Sequence, residues 1–316
     1  MKPMLLAALG AALLPTPALA CASCGCTFTA DWLAQGLVTQ PGAAVTLRYD
    51  WIAQTELRNG TDPVDRASIT LPTDREIERR TDNHLVTLAY DRQFASDWGI
   101  GAALPYVARP HATVAEGDIA ESRSDAAGLG DARLYVRWQG LSQPSGVTGI
   151  QAGLVLPTGS FHHAFTAGPQ AGAALDRGLQ PGTGTLQASV GAYHYRRLGS
   201  QLALVAQVSG QVALTAREGY RPGALGEGSV SLQWLGAGPI TPQLQLNARI
   251  TGRDSGIAAD RANSGGEQVT IAPGMSARLT PRLSGFALVQ LPLYRRFNGY
   301  QLAAPVMTSV GVQLRL

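Results

Sequence analysis

After its first twenty residues the sequence contains no apolar stretch approaching the ~20 residues a spanning helix requires without meeting a charge or a proline. That excludes a helical membrane protein. Charge is scarce too: 15% of residues are charged and the formal net charge is +3, an excess too small to argue for a nucleic-acid partner. Glu, Lys and Leu do not recur at the helical spacing of a helix-rich soluble enzyme. Cysteine is absent beyond Cys26, the last of three, so no disulfide staples the remainder of the chain.

What is present begins with Lys2, an apolar run from Met4 to Leu14, then Pro15, Pro17 and Ala18-Leu19-Ala20. This pattern predicts a secretory signal peptide over 1–20. The remaining chain carries most of the 37 Gly and 19 Pro, a composition suited to many strands joined by turns. Closed sheets commonly run to this length as one unit.

From Ala43 onward apolar and polar residues alternate in runs of about ten, and a period of two places the two kinds on opposite faces of a strand. In Gln243-Leu244-Gln245-Leu246-Asn247-Ala248-Arg249-Ile250 the polar face is as continuous as the apolar one. About twelve such runs are read, near 43–57, 82–94, 98–108, 129–141, 147–157, 182–196, 201–214, 224–236, 243–254, 266–279, 283–294 and 304–316, an even number as bacterial barrels require. Short turns alternate with longer loops at 58–81, 109–128 and 158–181, the asymmetry of periplasmic turns and external loops. The runs exceed the five or six residues usual in a soluble sandwich and match a tilted membrane crossing. The expectation is an all-β protein, a transmembrane antiparallel up-and-down β-barrel of about 12 strands over 43–316 in a Gram-negative outer membrane. Residues 21–42 form an N-terminal periplasmic segment that is a candidate plug. Tyr49, Trp51, Trp98, Tyr106, Trp138, Trp234 and Tyr294 fall towards strand ends, where amphipathic rings sit at a membrane interface.

Charges on the face opposite the apolar one cannot meet hydrocarbon without a cost of about 2–4 kcal/mol each at the bilayer midplane. Arg48, Asp50, Asp131, Arg133, Arg137, Gln207, Gln245, Asn247, Arg249 and Arg278 are therefore predicted to face the lumen. They suit a polar pore guiding a small solute by hydrogen bonds and counter-charges; equally, the arginines could pair with Asp50 and Asp131 and fill a narrow barrel. In the first loop, Asp74-Arg75-Glu76-Ile77-Glu78-Arg79-Arg80 has opposite charges at helical spacing and predicts a solvated helix. Arg79 and Arg80 are candidates for lipopolysaccharide phosphates, and His162-His163 for a metal contact. The expected partners are outer-membrane lipids and lipopolysaccharide, the barrel insertion machinery and a small-molecule solute.

Cys21-Ala22-Ser23-Cys24-Gly25-Cys26 leaves three readings open. Cys21 follows Ala18-Leu19-Ala20, which approximates a lipobox, and is a candidate for lipidation. An oxidising periplasm favours a disulfide between two of the three. Soft thiolates at this spacing also suit Cu(I) or Zn(II), and the proposed metal or thiol site is Cys21, Cys24 and Cys26. No other cofactor is expected.

Three segments resemble a known group: Gly128-Leu129-Gly130-Asp131 opening a strand, Leu156-Pro157-Thr158-Gly159-Ser160-Phe161 closing the next, and Leu179-Gln180-Pro181-Gly182-Thr183-Gly184 opening another. Together they resemble the outer-membrane transporter family named after the meta-cleavage pathway of phenol degradation, related to fatty-acid and hydrocarbon channels. The resemblance implies a passive channel for a small, aromatic or hydrophobic solute, with Gly130, Asp131, Pro157, Thr158 and Gly159 shaping the external rim. A metal- or redox-linked barrel acting through the cysteines is the alternative. An outer-membrane lipid hydrolase would draw a base from His111, His162, His163 or His194, but no serine stands in a recognisable nucleophile context, and no catalytic residue is assigned.

Overall fold

The computed structural model describes residues 39–316. The predicted signal peptide and Cys21, Cys24 and Cys26 lie outside the described residues. In chain order the strands are β1 (Gly42–Gln54), β2 (Glu56–Gly60), β3 (Asp62–Pro63), β4 (Ile77–Gln93), β5 (Trp98–Val114), β6 (Ser122–Leu129), β7 (Ala132–Trp138), β8 (Gly146–Leu156), β9 (Gln187–Arg197), β10 (Leu202–Ala213), β11 (Leu225–Trp234), β12 (Ile240–Thr251), β13 (Gly266–Arg278), β14 (Leu283–Ala303) and β15 (Met307–Arg315).

Each wall strand pairs antiparallel with its neighbour, and β15 returns to pair with β1 from Ala44↔Arg315 to Ile52↔Met307. The result is a closed barrel of 12 strands, in which β6 and β7 act as one interrupted strand. Tyr106 of β5 faces Leu129 and Ala103 faces Arg133, so one extra residue at Gly130-Asp131 forms a bulge. Closure leaves no open edge along the apolar belt of the wall, the condition for placing a sheet in lipid.

The alternation read from the sequence sorts the two faces. Leu244, Leu246 and Ile250 of β12 are exposed on the outside, while Gln243, Gln245 and Asn247 are buried inside. The same exterior belt includes Leu47, Leu88, Leu104, Val136, Leu232 and Val312, all at least 39% exposed, a continuous apolar surface that water would penalise at about 25 cal/mol per Å². Trp98 pairs with Trp138 near one edge of this belt, and Tyr106 lies further along β5 towards the other. Their eight-residue offset spans about 26 Å along the strand, or about 20 Å of height at the strand tilt of ~35–45° usual in outer-membrane barrels, which fits within their ~25 Å apolar band.

Both described chain ends and the turns at 94–97, 139–145, 198–201, 235–239 and 279–282 lie at one end, here the short-turn end; the long loops crowd the other. There β2 adds to the top of β14 through Leu57↔Leu302, and Leu57, Ile77 and Leu302 form a small apolar cluster with Val64, Ile69, Leu71 and Tyr300.

Two expectations need correction. The segment predicted as a loop helix at Asp74–Arg80 has no helix: β4 begins at Ile77, which pairs with Val114, and Glu78 pairs with Thr113. Pairs of opposite charge at helical spacing contribute only about 0.2–0.5 kcal/mol each, less than a run of ladder hydrogen bonds together with burial of Ile77, 1% exposed. The opposite charges pair locally instead, Arg75 with Asp74 at 3.1 Å and Arg80 with Asp82 at 2.5 Å. The loop expected at 109–128 shrinks to 115–121, because β5 and β6 rise well beyond the apolar belt.

Candidate functional site: the barrel lumen

The inner face of strands such as β12 was legible as their polar parity, and what the inner face lines is uneven along the barrel. At the short-turn end, side chains fill the lumen. Arg137 of β7 is wholly buried and grips Asp91 of β4 with both terminal nitrogens, Nη2 donating to Oδ1 at 2.7 Å and Nη1 to Oδ2. Tyr135 donates its hydroxyl to the same carboxylate at 3.0 Å, and Gln139 donates to the Tyr193 hydroxyl at 2.7 Å. Val205 and Ala203 of β10, both at most 1% exposed, pack the same end, as do Phe286 and Leu288 of β14.

Above this floor lies a cavity of about 390 Å³, within the range of small-molecule sites. Its wall draws on most of the strands: Arg48 (β1), Leu85 and Asp91 (β4), Val107 and Arg109 (β5), Arg133 (β7), Val155 (β8), Gln187 (β9), Gln211 (β10), Glu227 (β11) and Arg249 (β12) all contribute. The pairings are specific. Arg48 meets Asp50 at 2.8 Å and Arg249 meets Glu227 at 3.1 Å. The Arg133 side chain makes no hydrogen bond and no ion pair among the described residues, although Glu227, Arg48, Arg249 and Asp131 all lie within electrostatic reach of it.

The roof is the segment between β8 and β9, residues 157–186. It folds inward, and Arg109 donates from Nη1 to the carbonyls of Gly178 at 2.9 Å and Gln180 at 3.3 Å. Asp131, at the bulge, accepts from the backbone N–H of Gly159 at 3.0 Å and of Thr183 at 2.8 Å, and from the Thr183 hydroxyl at 2.6 Å. Gly159 and Gly182 touch back to back: a Cβ added at Gly159 would stand 2.6 Å from the Gly182 Cα and 2.8 Å from the Gly130 carbonyl carbon. Only glycine permits that approach. The three motifs that carried the family resemblance thus converge in one knot that ties the roof to the wall. Outside it, Arg177 lies over the rings of Phe161 at 4.2 Å and Tyr220 at 5.3 Å.

Twelve strands closed around a polar chamber have known counterparts. No family model and no curated protein matches this chain. Among solved structures, the COG4313 outer membrane channel from Pseudomonas putida F1 superposes with a TM-score of 0.64 at 11% identity, covering 92% of this chain and 100% of that one. The transport unit of the autotransporter AIDA-I from Escherichia coli gives 0.50 at 11% identity, over 86% and 90%. A monoaromatic hydrocarbon channel, CymD, gives 0.43 at 10% identity, over 90% of both. This is the fold of an outer-membrane channel barrel.

Within that barrel the lumen residues read from the sequence occupy three levels. Arg48, Arg133 and Arg249 face the chamber together with Asp131; Asp131 doubles as the anchor of the roof, a role invisible in strand parity. Arg137 belongs to the floor. Gln207, Gln245 and Asn247 are buried on the inner face, Asn247 donating to Thr270 Oγ1 at 3.2 Å, and Asp50 is buried beside Arg48. Arg278 ends β13, exposed at the short-turn end and outside the chamber lining.

Arg109 escaped the sequence reading because it sat one residue past the predicted end of its strand; continuing the parity Val107, Arg109, His111 would have found it. His162 and His163 do not converge. His162 contacts Glu218 at 3.1 Å, and this contact, with Arg177 and Arg217 nearby, holds the Glu218 carboxyl below its ordinary range. His163 Nε2 lies 3.0 Å from Ser160 Oγ, a pairing that was not foreseen. Among the described residues no three His, Cys, Asp or Glu side chains are placed to hold a metal ion.

Proposed function

We propose that this chain is an outer-membrane channel that passes a small solute through its lumen, driven by the solute's own gradient, with the N-terminal segment on the periplasmic side. The observation that carries the reading is the chamber: a cavity of about 390 Å³ with polar and charged walls, enclosed by a barrel whose outer surface is apolar. The orientation is supported by the chain ends lying with the short turns, the periplasmic side in barrels of this kind. Leu85, Val107 and Val155, each at most 5% exposed, line the chamber beside the charged groups. The solute accordingly has an apolar body, aromatic or aliphatic, and a polar group. Outer-membrane lipids and lipopolysaccharide surround the belt, with Arg79 and Arg80 near the outer leaflet, and the insertion machinery delivers the chain there.

Purified protein in planar bilayers is expected to give discrete conductance steps, and proteoliposomes to swell faster with small aromatic acids than with disaccharides. Membranes no leakier with the protein than without it, to every solute in the panel, would remove the channel reading. For the N-terminal thiols the proposal is Cu(I) or Zn(II) binding. Metal content of the purified protein is expected to fall with Cys24→Ser, and equal metal in both forms would dismiss it.

A further inference from the structure

Among the described residues, the charged side chains that line the chamber all have partners but one, and the exception defines a site. Arg48 is held by Asp50, Arg249 by Glu227, and Arg109 by two roof carbonyls and the Asn83 amide oxygen at 2.6 Å. The Asp131 carboxylate is occupied by three donors from the roof. Arg133 stands alone with a guanidinium facing the chamber and no hydrogen-bond acceptor among the described residues. A guanidinium presents five N–H donors in a planar fork, and a half-buried fork without acceptors is incomplete until something supplies oxygen atoms. Water can do so at no gain; a carboxylate does so with two parallel charge-assisted bonds.

What stands next to the fork selects the rest of the ligand. Arg133 pairs across strands with Val155 on one side and Ala103 on the other, and Val107 and Leu85 continue this wall inside the chamber. We propose that Arg133 is the specificity-determining residue of the chamber and that it receives a monocarboxylate with a compact apolar body, of benzoate size, its carboxylate on the guanidinium fork and its body against Val155 and Val107. Nearby Arg48 and Arg249 are each neutralised by a carboxylate, so recognition comes from free donors in a fixed geometry and not from an excess of positive charge. The inference rests on the channel reading for its biological sense, but the site exists or fails independently of conduction.

The test combines two readouts. Benzoate is titrated against the folded, detergent-solubilised protein by calorimetry and against the KCl current in planar bilayers, with benzyl alcohol and inorganic phosphate as comparison probes. Benzoate is expected to bind saturably and reduce the current. Benzyl alcohol, lacking the carboxylate, and phosphate, lacking the apolar body, are each expected to bind at least tenfold more weakly. Arg133→Gln should weaken benzoate at least tenfold, as expected for loss of charge-assisted hydrogen bonds. Arg133→Lys should fall between, because an ammonium is a point charge without the fork. Folding of each variant is checked by its heat-dependent shift on gels. Benzoate affinity unchanged in Arg133→Gln, or phosphate or benzyl alcohol binding as tightly as benzoate, would overturn the proposal. Calorimetric binding that depends on Arg133 in a protein that conducts nothing would uphold the site and remove the channel; conduction with no benzoate binding would do the reverse.

Discussion

Arg137 is the largest of the fully buried side chains among the described residues, and its charge is tolerable inside the barrel because Asp91 takes both terminal nitrogens. Removing one member of a buried pair strands the other, at a cost of about 3–5 kcal/mol. Arg137→Ala is therefore expected to lower the stability of the folded barrel by about 3 kcal/mol, read from urea-dependent folding into lipid vesicles. The uncharged pair Asp91→Asn with Arg137→Gln should recover most of the loss. Because the pair also forms the floor, Arg137→Ala should raise single-channel conductance. A variant as stable as the parent with unaltered current would show that the floor does not hold there. The sequence put Arg137 and Asp131 on the same wet face as Arg133, and parity could say no more. Whether a given arginine plugs, anchors a loop or stands free depends on which acceptors from distant strands surround it.

At the scale of the element, β12 states the rule of the wall: its outer residues meet lipid and its inner ones the lumen. Leu246→Arg is expected to cost about 2–4 kcal/mol in vesicle folding. Gln211→Arg, which faces the chamber, should alter conductance and leave stability nearly untouched. Equal costs for the two would contradict the assignment of faces. The roof obeys different physics. Burial, followed by the nearby carboxylates of Glu76, Glu78 and Asp260, pushes the Asp176 carboxyl well above its usual range. A carboxyl raised in the folded state supports roof packing while it is protonated, so the support is complete below the unfolded-state pKa and is lost as pH rises through the folded-state value. Proteolytic nicking in 157–186, measured as the ratio of parent to Asp176→Asn at each pH, should climb with pH; a flat ratio would show that this carboxyl does not control the roof. The strand elements were readable because a period of two repeats locally. The roof was not, since Arg109 and Asp131 find their partners, and Asp176 the carboxylates that crowd it, far away in sequence, and the expected helix at 74–80 failed for the same reason.

For the whole molecule, closure depends on β1 meeting β15 over the register Ala44↔Arg315 to Ile52↔Met307. Deleting residues 307–316 leaves two open edges in the hydrocarbon, where unsatisfied backbone groups cost several kcal/mol each. The deletion is expected to abolish the compact, heat-modifiable band in gels of vesicle-folded protein, and a band of normal mobility would mean that closure does not require this strand. The sequence by itself determined that the chain makes long two-faced strands in even number, with short turns at one end and long loops at the other. These properties follow from side-chain alternation and turn chemistry, which act between near neighbours. Only the tertiary structure decided that one end of the lumen is filled, that three glycine-rich segments knot the roof to the wall, and that Arg133 is left without a partner. Those outcomes depend on which side chains meet across the barrel, a matter of strand register and closure that no local pattern encodes.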